Sequence, residues 1–197
     1  MKTFIYIIFG LTLIFFVTQA FMVRSTSKTE QHKYSVIKKY DNFEVRRYSK
    51  ALFSTVKLNE KSYDEVSGKG FRVLAGYIFG GNESNEKIAM TSPVAMQIGD
   101  SSKMSFMVPA GYSLDNLPKP TDSKIYFEVK EEAIMAAIEF GGWASDEKIE
   151  EYKKKLIAEL EKAQIQYKGS FSYLGYNPPY EVFNRRNEIV VELENYK

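Results

Sequence analysis

At 197 residues the chain fits one domain, or one domain with an appendage. Its 27 Lys and Arg nearly balance 25 Asp and Glu, which argues against the concentrated basic face of a nucleic-acid binder. With no cysteine and one histidine, structural disulfides and lipidated cysteines are excluded, as is Cys–His or Ser–His–Asp chemistry inside the domain.

The appendage comes first. Residues 4–23 carry no charge and are almost wholly apolar, between Lys2 and Arg24. A run of about twenty such residues can span a bilayer as a helix. The same run reads as a secretory signal, with Lys2 as its basic start and Thr18-Gln19-Ala20 as a cleavage site. Residues 1–23 are therefore expected to be a signal peptide or a membrane anchor, and the protein membrane-anchored or exported (periplasmic or secreted). The side of the membrane stays open: Arg24, Lys28, Lys33, Lys38 and Lys39 favour the cytoplasm for an anchor, whereas a cleaved signal places the domain outside. Residues 24–33 are polar and aperiodic and read as a flexible linker that contains His32. The globular part is expected over 34–197.

Within it, residues 40–48 alternate Phe43, Val45 and Arg47 with Glu44, Arg46 and Tyr48, a strand pattern, and 51–58 read as a second strand. Ser62 and Glu65 form a capping box for a helix that ends near Phe79, before Gly80-Gly81-Asn82. Strands follow near 87–98, with Pro93 marking an edge or a bulge, and near 103–108. The order then repeats: strands near 124–130 and 134–140, a helix capped by Ser145, and strands near 170–175 and 187–193. The second helix has a buried stripe of Ile149, Tyr152, Leu156 and Leu160. Two strand-strand-helix-strand-strand units predict an α+β domain, a mainly antiparallel curved sheet or distorted barrel with two helices packed outside.

Catalytic patterns are missing. No residues have zinc-ligand spacing, and the glycines complete neither a phosphate loop nor a dinucleotide fingerprint. Phe71, Leu74, Tyr77, Ile78, Phe79, Met90 and Met96 would suit a broad, flat, greasy ligand, and equally an ordinary core. Gly68, Gly70 and Gly76 would let a backbone or a flat ligand approach the first helix. Arg185 and Arg186 either clamp ligand carboxylates or pair with Glu181 and Glu188 and pin the last loop. Asn82-Glu83-Ser84 is a glycosylation sequon for a chain that enters a eukaryotic secretory route.

The ordered motifs YDNFEVRRY, GFRVLAGYIFGGN, KIAMTSPV, MSFMVPAGY with LPKP, and YNPP followed by RRNEIVVEL cover nearly the whole globular part. In this combination the chain resembles the SOUL / haem-binding protein family. The resemblance implies a distorted eight-stranded β-barrel flanked by two helices with an internal pseudo-twofold repeat. It also implies non-catalytic binding of haem or another tetrapyrrole in a hydrophobic cleft beside the first helix. Some members are thought to offer a histidine just before the tyrosine of the RxY motif; here Arg47 stands there, and arginine does not ligate iron. The matching cofactor-binding residues are Phe71, Leu74, Ala75 and Ile78, with Arg47 or Arg72 reaching the propionates. Tyr77 and Tyr176 are the residual candidates for ferric iron. The expectation is a tetrapyrrole binder without an axial histidine. The alternatives are a module for another flat hydrophobic molecule, or an enzyme that modifies a bound tetrapyrrole.

Overall fold

The structure, a computed structural model, describes residues 2–26, 28–99 and 101–196. In chain order it contains α1 (Lys2–Thr26), β1 (Tyr34–Lys39), β2 (Glu44–Tyr48), β3 (Ala51–Leu58), α2 (Tyr63–Ile78), β4 (Val94–Gln97) and β5 (Ser102–Met107). β6 (Ile125–Lys130), β7 (Ala133–Gly141), α3 (Asp146–Lys162), β8 (Tyr167–Gly175) and β9 (Arg186–Leu193) complete it. All ladders are antiparallel, in the order β1-β2-β7-β9-β8-β4-β5-β3-β6.

That order contains the repeat. Leaving out β1, exchange of β2 with β6, β3 with β7, β4 with β8 and β5 with β9 reads the sheet backwards onto itself. The two halves meet at the short β4–β8 ladder, where Ala95 faces Leu174. α2 packs on β3 and β5, and its counterpart α3 packs on β7 and β9. The α+β architecture is as expected, with two corrections. Among the described residues there are nine strands rather than eight, because the segment before residue 40 forms the exposed edge strand β1. The barrel is also not closed: β1 and β6 end the sheet without pairing to one another. The strand expected over 87–98 forms only over Val94–Gln97, and Pro93 lies just before it and not at a sheet edge, since β4 pairs with both β5 and β8.

Local chemistry places the helices. The Ser62 hydroxyl accepts from the Glu65 N–H at 3.4 Å, the N-cap bond, and donates to the Glu65 carboxylate at 3.2 Å. Ser145 accepts from the Lys148 N–H at 3.3 Å in the same way. Val66, Leu74, Tyr77 and Ile78 of α2, with Leu156 and Leu160 of α3, fill one core against the sheet. Each such buried side chain contributes on the order of 1.5–3 kcal/mol. Gly70 sets how close α2 lies: a Cβ there would come within 2.9 Å of Leu58 and Met104 side-chain atoms.

The segment expected as a linker is tied down at its end. The His32 N–H donates to the Ser92 carbonyl (3.0 Å), Ser92 returns a bond to Glu30 (2.9 Å), and Ser49 donates to the Lys33 carbonyl (3.0 Å). The His32 ring lies against Tyr48 and Phe53 at centroid distances of 5.0 and 5.5 Å. Its Nε2 lies 2.8 Å from the Ser49 carbonyl and donates to it. Residues 30–33 thus form a strap on the body of the domain. The N-terminal segment is helical, yet among the described residues no helix is long and apolar enough to cross a membrane. α1 touches the body through Gln19, which bonds the Tyr180 carbonyl and the Val182 N–H, and through Phe16 stacked on Phe183.

Candidate functional site

The site residues expected on α2 divide between its two faces. Leu74, Ala75 and Ile78 are buried, Leu74 and Ile78 as part of the main core, so those two are shielded from a ligand by their own packing. Phe71 is 38 % exposed, its ring edge-on to Phe106 at 5.5 Å. Arg72 is exposed and has no ion-pair partner among the described residues. Arg47 is not brought to this helix: it lies on β2 and is held by Glu132 at 2.8 Å. What the outward side of α2 offers instead is a row. Phe71 and Phe79 lie eight residues apart on it, Phe79 64 % exposed, with the small, buried Ala75 between them. The backbone positions of the two phenylalanines are about 12 Å apart along the helix axis, at 1.5 Å per residue. A Cβ at Gly68 or at Gly76 would meet nothing within 4 Å, so the space flanking the row is open. Sequence reasoning placed Phe79 in the apolar wall but not among the matching cofactor-binding residues, and it sits at the helix C-cap. Its spacing from Phe71 was the available signal.

A second feature, unforeseen as a unit, is an ionic cluster on the sheet face turned away from the helices. Register sets Arg46 of β2 against Met135 of β7 and Glu188 of β9 against Glu139 of β7, so the Arg46 side chain reaches Glu188 diagonally across β7. Fully buried Glu188 accepts from Arg46 at 2.9 Å, from Arg186 at 2.5 and 3.1 Å, and from the Tyr176 hydroxyl at 2.8 Å. Burial opposes the charge on both guanidiniums, but the Glu188 carboxylate overrides it and holds both pKa values above the ordinary arginine value. Arg46 and Arg186 also cover the Tyr34 and Tyr176 rings at 4.4 and 4.1 Å. A polar cleft of about 370 Å³ opens beside them, lined also by Lys39, Glu44 and Glu139. The arginine pair of the last loop therefore serves to pin. Arg185 donates to the carbonyls of Asn177, Pro178 and Glu181, and Arg186 to Glu188 and Tyr34.

The candidate iron ligands are all engaged. Tyr77 donates to the Pro118 carbonyl at 2.8 Å and Tyr176 to Glu188, and burial raises both phenol pKa values, away from the phenolate that ferric iron requires. His32 has its Nε2 committed to Ser49. Among the described residues no cluster of His, Asp and Glu could hold a metal ion by itself. The Asn82 side chain is likewise unavailable for glycosylation, being buried with its amide nitrogen bonded to Tyr77 and Glu86 carbonyls.

Burial pulls the His32 imidazole below its ordinary pKa of 6.5, nearby Lys130 adds to this, and the Ser49 carbonyl opposes it. The folded state therefore resists a proton that the unfolded chain accepts. The stability this provides is complete above the unfolded value and is lost as the pH falls below it. Urea midpoints should drop between about pH 7.5 and about pH 5.5, and the drop should shrink in His32→Gln. An equal drop in the variant would assign the pH effect to other groups.

A sequence profile of the SOUL heme-binding protein family matches residues 29–192, which takes in the 30–33 strap as well as the two halves. Heme-binding protein 1 of Xenopus laevis is 30 % identical over 155 residues, covering 75 % of this chain and 81 % of that protein. Heme-binding protein 2 of Homo sapiens is 28 % identical over 157 residues, covering 75 % and 76 %. Among solved structures, the EcmrR C-terminal domain superposes with a TM-score of 0.62 at 8 % identity, over 83 % of this chain and 99 % of that one. A hydrolase from Listeria innocua superposes with a TM-score of 0.56, also at 8 % identity, over 80 % and 94 %. At that identity the two structures share the fold, and the likeness extends no further.

Proposed function

Because the chain belongs to the SOUL heme-binding protein family, we propose that it binds haem or a related tetrapyrrole, non-catalytically, on the outward side of α2. The observation that carries this reading is the exposed pair Phe71 and Phe79, with open space over Gly68 and Gly76. A macrocycle would lie against the Phe71 and Phe79 rings over the open flank at Gly68 and Gly76, with Leu74, Ala75 and Ile78 supporting the helix from beneath. Arg72, exposed at the edge of the row and without an ion-pair partner among the described residues, would meet a propionate by a charge-assisted bond. The relatives named Heme-binding protein 1 and 2 support the ligand class. Haem, when bound, would supply an iron centre. The committed states of His32, Tyr77 and Tyr176 favour a site that holds the porphyrin by its faces and edges and not by its iron. The same geometry supports a second reading, another flat apolar molecule with an anionic edge.

In the same reading, α1 and the residues around it take no part in ligand chemistry, and the membrane-anchored or exported location is carried forward as a proposal. Titration of the full chain with hemin tests the function. Absorbance should saturate at one equivalent, and the melting temperature should rise with free ligand as RT ln(1 + [L]/Kd) requires. A titration without saturation, together with an unmoved melting temperature, would remove tetrapyrrole binding from this chain.

A further inference from the structure

We propose that the cleft between the 30–33 strap, the start of β3 and the loop after β5 is a second small-molecule site, one that takes an amphipathic carboxylate. The cleft measures about 450 Å³, within the roughly 300–1,000 Å³ of small-molecule sites. Leu52, Val108, Pro109, Leu114 and Val129 give it an apolar wall drawn from three separate parts of the chain. Two of them stand out in water: Leu114 is 54 % exposed and Val129 38 % exposed. A chain of methylenes laid in the cleft would cover both. The strap that forms the opposite wall is fixed by its backbone bonds to Ser92 and Ser49, so the cleft is already shaped without ligand.

Charge selects the head group. Glu30 at the rim spends a carboxylate oxygen on the Ala110 N–H at 3.1 Å, and Lys50 is turned to Glu131 at 2.9 Å. The lining carries Lys33 and Lys50 against the single carboxylate of Glu30, one net positive charge, and Lys33 is exposed with no ion-pair partner among the described residues. A carboxylate head suits it, while an ammonium head would be repelled. Phe71, Arg72 and Phe79 are not among the lining residues, so this site is separate from the proposed tetrapyrrole row.

The test is calorimetric titration of the full chain with dodecanoate and, separately, with dodecanol. One saturable site for dodecanoate is expected, about tenfold weaker in Leu114→Asp and in Val129→Asp. Lys33→Glu should weaken dodecanoate and leave dodecanol unchanged, and Phe71→Glu should leave both unchanged. Leu114 and Val129 are exposed, and circular dichroism would verify that each variant is folded. Absence of saturable binding would overturn the proposal. So would equal affinity in the two aspartate variants, which would point to uptake along the apolar α1. Displacement of dodecanoate by one equivalent of protoporphyrin would overturn the separateness of the two sites.

Discussion

Replacing Glu188 by alanine is expected to lower the free energy of unfolding by about 3–5 kcal/mol, read from urea denaturation. The carboxylate is fully buried and is the common acceptor for Arg46, Arg186 and Tyr176. Its removal leaves Arg46, itself buried, facing Arg186 with only Glu44, Glu139 and two tyrosine hydroxyls to share. Like charges in a dry setting cost more than the lost bonds alone, because neither guanidinium can shed its proton. Glu188→Gln keeps the size and one good acceptor while removing the charge, so its loss should fall between alanine and the parent chain. A loss under about 1 kcal/mol in the alanine variant would place the cluster with screened surface pairs.

The second large effect concerns ligand. In Phe71→Glu, tetrapyrrole affinity should fall by roughly ten- to a hundredfold, from losing apolar contact worth about 1.5–3 kcal/mol. A carboxylate set beside the propionates would add repulsion. The fold should survive, because Phe71 is partly exposed and glutamate is a good helix former. Protoporphyrin fluorescence in the parent and variant chains checks this directly. Unchanged affinity would move the site off α2.

Much of the architecture was legible in residues that act locally. Ser62, Glu65 and Ser145 mark helix starts through bonds to neighbours three residues away, and the Ile149–Leu160 stripe marks its face by spacing. The repeat shows in element order alone. β1 was not legible: Val36 and Ile37 are consecutive and both exposed on an edge strand, so no alternation marks it. Nor was the strap, since Glu30 and His32 acquire partners only when Ser92 and Ser49 fold beside them.

For the proposed site, the sequence pointed to α2 and mixed its faces. Leu74 and Ile78 resemble ligand contacts by type, but they face the sheet. Phe79 faces outward from the position at which the helix stops. The Arg46–Glu188 pair joins residues 142 apart and depends on strand register, which composition does not encode.

The central claim is that the chain holds a tetrapyrrole by shape and charge and not through its iron. It is tested most directly by the ratio of two dissociation constants, for hemin and for iron-free protoporphyrin, measured on the full chain under one set of conditions. The account requires a ratio within about threefold of one, a difference of about 0.7 kcal/mol or less. Binding of hemin alone, with a Soret band shifted from that of free hemin, would contradict it and require an iron ligand that breaks the bonds now made by His32, Tyr77 or Tyr176.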